Sequence, residues 1–591
     1  MLPAANPIRS PNSNDDLTLT DCGWASEDRV VCGFRGATAA YGQRVGFSRL
    51  IAMDADGKNM RDLSARNVGT ALRLSQFSGG VVDWLDGSTP NILMMRDHVP
   101  EQTTGMLTAS TAEGYGVDRV DTRTLRSTAV ERATPDASVF LTDGQGNVRI
   151  MGVDPVDNKG LLRGWTEYRY RPTGQHGWQA FSRVTWTGGA AASRPVAIDA
   201  KDEIAYAVMP LDGRDALYRV KLDGSLKSEL AYANPTVDVG DVVTIGRHGR
   251  VIGVDYITDR RATEYFDPEY KTLSTALSRA LPNLPLITFE SATADESALL
   301  LRASSDTDGG HFFLFNRKDR HLEELLPIRP ELQGVTTATV RSITYPAGDG
   351  TTVPAYLTLP PGSTGKGLPA IVLPHGGPAA RDEWGFDWLA QFLAVRGFAV
   401  IQPQFRGSTG FGDAWFVDNG FKSWKTAVRD VAAAGEWLVK EGIADPTKLA
   451  ILGWSYGGYA ALQSNVIDPK LFKAVVAIAP VTDLRMLKAE SEGFTNATVM
   501  QNYIGSGPHL TEGSPRLHAD RFEAPVLMFH GDKDMNVAVG ESVVMDSALR
   551  QAGKKSELVR YPGLDHQLDD SGVRAEMLTK IDMFLRKSMA M

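Results

Sequence analysis

Leu449-Ala450-Ile451-Leu452-Gly453-Trp454-Ser455-Tyr456-Gly457-Gly458-Tyr459 is the stretch on which the reading of this chain turns. Four apolar residues fit a buried strand, the run after Tyr456 fits a helix, and a Gly-x-Ser-x-Gly spacing joins them. Side chains two positions either side of the serine would collide in so tight a turn, hence the glycines. The turn lifts the serine Oγ to the carboxyl edge of a sheet. The stretch therefore predicts an α/β domain with Ser455 as its candidate nucleophile.

A serine hydroxyl needs a histidine to take its proton, and the histidine needs a carboxylate to fix its tautomer and balance the imidazolium. In this strand–turn–helix setting the chain order is Ser, then Asp or Glu, then His. Downstream, the strand Val526-Leu527-Met528-Phe529 runs into His530-Gly531-Asp532-Lys533-Asp534, and a later one ends in Tyr561-Pro562-Gly563-Leu564-Asp565-His566. Both fall at carboxyl ends of strands, where an open α/β sheet forms its crevice. His566 is the expected base. Asp532 and Asp534 compete as its partner, and spacing does not separate them; Asp565 is too near His566 to fold back as its orienter. His530 reads as a structural hydrogen-bonding residue, His509 and His518 as solvated. Upstream, Leu373-Pro374-His375-Gly376-Gly377-Pro378 ends another strand where a second oxyanion donor belongs, the first being the Tyr456 N–H.

The rest of the C-terminal half alternates strands with amphipathic helices. Strands are expected at Val353–Leu359, Ala370–Pro374, Phe398–Gln404, Leu449–Trp454, Ala474–Ala479, Val526–His530 and Glu557–Tyr561. Helices are expected near Trp384–Val395, Trp424–Val439, Glu541–Gln551 and Val573–Arg586. Before Gly334 the rhythm differs: short apolar runs are broken by turns at Asp56-Gly57, Thr122-Arg123, Thr173-Gly174, Asp223-Gly224, Asp267-Pro268 and Lys318-Asp319. A spacing of about 40–50 residues is that of a four-stranded propeller blade. The fold expected is a multidomain one: an all-β propeller over residues 1–334, in which six such turns are visible, then an α/β domain with a mostly parallel sheet over 335–591.

Composition sets the boundaries. At 591 residues the chain exceeds one core. Its net charge of −9 and the lack of a Lys/Arg-rich run exclude nucleic acid as a natural partner, and its longest apolar runs are far too short to span a bilayer. Cys22 and Cys32 are the only cysteines, too few for a zinc site or a disulfide framework. They read as two separate strand cysteines, with a single bridge as the alternative. Met1-Leu2-Pro3-Ala4-Ala5 lacks a secretory pattern, so the cytoplasm is expected, or the periplasm where a leader has been removed. A homo-oligomer is compatible with the sequence but not read from it.

Together these residues resemble the prolyl-oligopeptidase family of serine peptidases, in its acylaminoacyl-peptidase-like branch. The likeness rests on the Ser455 motif, His375-Gly376-Gly377-Pro378, Gln404-Phe405-Arg406-Gly407-Ser408-Thr409-Gly410-Phe411-Gly412 and His530-Gly531-x-x-Asp534. It implies an α/β-hydrolase domain gated by a propeller of about seven blades, one more than the visible turns and so with the first blade incomplete, and it selects Asp534 over Asp532. It also implies a His375/Tyr456 oxyanion hole and substrate contacts from Asn536, Val537 and Arg406. No metal or cofactor is implied, and the expected partner is a short or flexible peptide. Paired propeller glutamates that would bind a free substrate amine are not evident, Glu323-Glu324 lying too near the domain junction, and Leu484 and Leu487 stand where proline-selective members carry aromatics. Dipeptidyl-peptidase-IV-like activity is therefore disfavoured. The expectation is a serine peptidase, with a carboxylesterase or a dedicated isopeptidase as alternatives.

Overall fold

The computed structural model describes residues 17–40, 43–64, 70–103, 109–172, 174–186, 193–416 and 420–591. Up to Pro327 these form six small antiparallel sheets in succession, at residues 17–62, 81–134, 137–185, 194–232, 239–265 and 286–327, each packed on the next as propeller blades 1 to 6. Six blades are seen among the described residues, beside an expectation of about seven. Blade 1 is also complete: long strands (Leu17–Ser26, Arg29–Ala40, Gln43–Asp54) with short turns fit three strands ahead of Asp56-Gly57, and Arg61–Asp62 is the fourth.

The recurring turn signals mark one place in each blade, the hairpin from the third strand to the outer one. Asp56-Gly57, Thr122-Arg123, Asp223-Gly224 and Lys318-Asp319 all sit there, while Thr173 lies outside the described residues. Asp267-Pro268 is the exception. Blade 5 has three strands, and where its outer strand would begin Asp267 caps helix α1 (Pro268–Ala280), accepting the Glu269 N–H at 2.9 Å with Pro268 in the first turn. Tyr270 of α1 packs edge-on against Phe289 of blade 6, 5.1 Å between centroids. Cys22 and Cys32 are not separate. The register of the first two strands sets them directly opposite, Cα atoms 4.1 Å apart, and they form a disulfide.

The propeller has two unlike ends. One faces the second domain; at the other, Arg247 in the turn of blade 5 donates to the carbonyls of Trp24 (2.9 Å) and Ala25 (2.7 Å) in blade 1 and of Trp84 (2.6 Å) and Leu85 (2.8 Å) in blade 2. Its neighbour His248 bonds the Gly144 carbonyl of blade 3. One guanidinium thus ties blade 5 to two blades across the axis.

The second domain holds one eight-stranded sheet: β1 (Val340–Pro346), β2 (Thr352–Thr358), β3 (Leu368–Val372), β4 (Ala399–Pro403), β5 (Ala444–Trp454), β6 (Val475–Ile478), β7 (Val526–Gly531) and β8 (Ser556–Tyr561), in the order β1-β2-β4-β3-β5-β6-β7-β8. From β4 to β8 all neighbours are parallel; β1 and β2 are antiparallel additions, and β1 was not expected. Both faces are buried because alternate residues serve different cores. Leu449, Ile451, Val475, Ala477, Val526 and Met528 pack under helices α3 (Trp424–Lys440) and α4 (Tyr456–Ile467), while Ala450, Leu452, Val476, Ile478, Leu527 and Phe529 pack under α2 (Trp388–Val395) and α7 (Ser571–Ser588). No helix among the described residues is long and apolar enough to cross a membrane.

Arg247→Ala removes four hydrogen bonds worth about 1 kcal/mol each at most, so a loss on the order of 2–3 kcal/mol is expected. A thermal melt should show a drop of several degrees, and Arg247→Lys, lacking the planar fork, should recover only part of it.

Candidate active site

The turn after β5 is built as the sequence requires. Ser455 adopts φ 59°, ψ −120°, a region that costs a non-glycine residue about 1–3 kcal/mol. It is held by its own N–H on the Ile478 carbonyl (2.8 Å) and by Tyr459 N–H on its carbonyl (3.0 Å). A Cβ on Gly453 would stand 2.1 Å from the Gly457 carbonyl oxygen, and one on Gly457 2.1 Å from that of Pro374. The glycines thus press the elbow against the end of β3. A Cβ on Gly376 would lie 3.5 Å from that of Ser455, which sets the His375-Gly376 segment beside the serine.

Asp534 and His566 come from the loops after β7 and β8. Both are buried, and His566 Nδ1 lies 2.6 Å from Asp534 Oδ2. The other carboxylate oxygen accepts the N–H groups of Asn536 (2.8 Å) and Val537 (2.9 Å). Burial alone would raise this carboxyl; hydrogen bonds from His530 and His566, the His566 charge and the Val537 N–H outweigh it and hold the group down at about 2. Asp532 is elsewhere, accepting the Gly563 N–H at 2.8 Å. His530 is fully buried: its Nε2 donates to the Val537 carbonyl (2.9 Å) with Asp534 Oδ2 at 3.2 Å, and Ser542 donates to its Nδ1 (2.7 Å). It clamps the aspartate loop.

The other residues singled out in the sequence divide. The Tyr456 N–H opens α4, while its hydroxyl is committed to the Gly420 carbonyl at 2.7 Å. Both nitrogens of the His375 ring have partners: Nδ1 is 2.7 Å from the Gly376 carbonyl, Nε2 2.8 Å from Ser408 Oγ, and the ring stacks on Phe405 at 4.4 Å. Burial and the nearby Arg381 charge push it down to about 4, so it stays neutral. Arg406 spends its guanidinium on Asp430 (2.8 and 2.7 Å) and Asp349 (2.7 Å), which leaves little of it for a substrate. Val537, Leu484 and Leu487 are buried together, and Asn536 is exposed on the aspartate loop. Glu323 and Glu324 lie on the outer strand of blade 6, where Glu324 pairs with His311. His509 and His518, both expected to be solvated, are half-buried and bond backbone carbonyls instead, His509 that of Ile504 at 2.8 Å and His518 that of Thr511 at 3.2 Å.

Two carboxyls that the sequence did not single out flank this cluster. Glu541, fully buried in α6 (Gly540–Gln551, with α5 being Leu484–Glu490), accepts from Thr482 N–H (2.8 Å), Asp483 N–H (2.8 Å) and the Thr482 hydroxyl (2.6 Å). Burial, together with the charge of Glu490, drives it up to about 8. Glu490 is pushed to about 7, by burial first and by Asp534 as well. Nothing in their local sequence signals this, because it arises from the packing of α5 on the β7 loop. Each folded value exceeds the ordinary 4.5. The stability these groups contribute is therefore complete below about 4.5 and is lost as pH rises through about 7 to 8. Glu541→Gln keeps an oxygen acceptor for Thr482 and Asp483 but cannot ionise. Its melting temperature should fall less than that of the unaltered chain between about pH 6 and 9, and parallel curves would contradict this.

The chain is similar to known proteins in sequence and in fold. Residues 384–591 match the model of the prolyl oligopeptidase family. Dipeptidyl aminopeptidase BIII of Pseudoxanthomonas mexicana is 29% identical over 59% of this chain and 53% of its own length, and dipeptidyl peptidase family member 6 of Caenorhabditis elegans is 26% identical over 76% and 65%. The human acylamino-acid-releasing enzyme is 25% identical over 37% and 31%. The chain thus spans about half to two thirds of the length of the first two relatives. In fold it is similar to a puromycin-hydrolyzing peptidase of Mycobacterium tuberculosis, with TM-score 0.67 at 19% identity, covering 97% of this chain and 95% of that one. A prolyl endopeptidase structure gives TM-score 0.70 at 17% identity over 99% and 84%. The α/β-hydrolase half of this chain carries a prolyl oligopeptidase family domain.

Proposed function

We propose that the chain is a serine peptidase acting on short or flexible peptides. Ser455 attacks the scissile carbonyl, His566 takes its proton and returns it to the leaving amine, and Asp534 holds the imidazole with its Nδ1 proton inward. The 2.6 Å His566–Asp534 contact, buried beside the elbow, carries this reading. The oxyanion would be met by the Tyr456 N–H and by backbone of the His375-Gly376 segment, since the His375 ring is neutral and committed elsewhere. Arg406 is then a scaffold residue, and Val537 a wall of the site. Labour divides along residues 1–334 and 335–591, gate and catalyst. The Cys22–Cys32 bridge favours an oxidising compartment, such as the periplasm, over the cytoplasm.

The relatives' names cover both free-amine dipeptide release and acylamino-acid release. Turnover is therefore compared on a free-amine dipeptidyl amide, an N-acetyl-aminoacyl amide, a blocked internal-proline peptide and a short acyl ester. Amide turnover lost in Ser455→Ala supports a peptidase; turnover of the ester alone would make it a carboxylesterase. Ser455→Ala and His566→Ala should each lower kcat by several orders of magnitude, on the order of 10⁴ to 10⁶. Asp534→Asn should lower it by about 10⁴ through the wrong imidazole tautomer, whereas Asp532→Asn should lose less than about tenfold. The reverse order would remove Asp534 from the triad.

A further inference from the structure

The seam between the domains is uneven. Along blades 3 to 6 it is stitched by direct bonds: Leu162 N–H to the Thr495 carbonyl (2.8 Å), Asp413 N–H to Gly213 (2.9 Å), Gly412 N–H to Asp238 (3.0 Å), the Arg261–Glu383 pair (2.6 Å) and Val340 N–H to Asp306 (2.7 Å). At blade 1 the β-hairpin over residues 29–54 instead faces the loops that deliver Asp534 and His566 across a cleft of about 450 Å³. Phe47, Met535 and Leu564 give it apolar walls. Arg35 is its weakly held charge, with Nη2 3.9 Å from Asp565 and both side chains about half exposed, at 52% and 43%. Lys533 and Asp569 also line the cleft, and Asp569 is paired with Arg574 at 3.3 Å.

In the chemistry proposed above the leaving amine takes its proton from His566, so the departing segment leaves on the histidine side of the serine. Residues 563–565 are the stretch that delivers His566, and they also form a wall of this cleft. From this we propose that the cleft receives the part of the peptide beyond the scissile bond, and that Arg35 binds its terminal carboxylate. A guanidinium offers a planar fork matched to a carboxylate, and a partner 3.9 Å away leaves that fork unsatisfied. The apolar walls suit one or two side chains ahead of that carboxylate. Arg35 thereby selects short leaving segments with a free end.

This inference rests on the peptidase reading, so its test separates the two. A blocked peptide whose cleavage leaves a two-residue segment is compared as free acid and as carboxamide, alongside an aminoacyl anilide that has no residue beyond the scissile bond. The free acid should be favoured roughly tenfold in kcat/KM, mainly through KM. Arg35→Gln should bring that ratio to about one, Arg35→Lys should keep part of it, and Asp565→Asn should raise it. A ratio of one in the unaltered chain, or one that survives Arg35→Gln, overturns the assignment even where the anilide is cleaved. Failure to cleave the anilide and both peptides overturns the peptidase reading and this one with it.

Discussion

Asp534 and His566 meet at 2.6 Å out of water, and much of the C-terminal domain is arranged so that they can. Their loops leave adjacent parallel strands, β7 and β8, and must approach closely before diverging. A Cβ at Gly531 would stand 2.4 Å from the Leu564 carbonyl oxygen and 2.5 Å from that of Asp565, so only glycine lets the aspartate loop lie against the histidine loop. Asp532 and Lys533 then stitch the loops by backbone, at 3.1 Å to Tyr561 and 2.8 Å to Leu564. The carboxylate stays ionised despite burial because two histidines and two backbone N–H groups face it, which is the condition under which a buried charge is tolerable.

The elbow imposes a matching demand on the other side of the sheet edge. Gly457 brings α4 onto the carbonyl of Pro374, and that contact fixes where the His375-Gly376 segment passes Ser455. The His375 ring, stacked on Phe405 and bonded to Ser408, anchors the segment from behind, and Arg406 pins the same loop to Asp430 through side chain and backbone. The runs around His375 and Arg406 are thus mainly architectural. They hold backbone in place beside the serine, with the His375 ring and the Arg406 guanidinium bonded to neighbours within the domain.

Much of this was legible in the sequence because the C-terminal strands are short, apolar and followed by glycine, which leaves few alternatives. The strands from Val353 onward fall within a few residues of their observed ends, whereas β1 went unseen, its Arg341 and Ser342 breaking the apolar run of an edge strand. The six turn signals number the six described blades, one to each; the expectation of about seven came from the family likeness, because a turn signal cannot say how many strands precede the first. At Asp267-Pro268 the same residues that favour a turn also start a helix. The cysteine pairing depended on a strand register that no local pattern reveals. The charges of Glu490 and Glu541 depended on tertiary burial and were invisible for the same reason.

Left-handed backbone separates the work of the two domains. In the propeller, Asn59, Leu125, Glu203, Asp212, Leu226, Glu296 and Arg320 adopt positive φ in hairpins, where the twist of the strands demands it, while Asp136 does so between blades 2 and 3 and Leu85 in the loop before the second strand of blade 2. In the C-terminal half, Ser455, Ala479 and Leu568 do so without any hairpin, at the carboxyl ends of β5 and β6 and just past His566, and Ala590 does so past the end of α7. Strain of that kind persists only where surrounding packing over-determines it, and here Ala479 is held by its N–H on the Phe529 carbonyl at 2.8 Å and Leu568 by complete burial. These strained residues share one corner with the raised carboxyls of Glu490 and Glu541. A fold whose remaining rules are locally consistent concentrates its exceptions in one corner, at the sheet edge where Ser455, Asp534 and His566 stand on the segments after β5, β7 and β8.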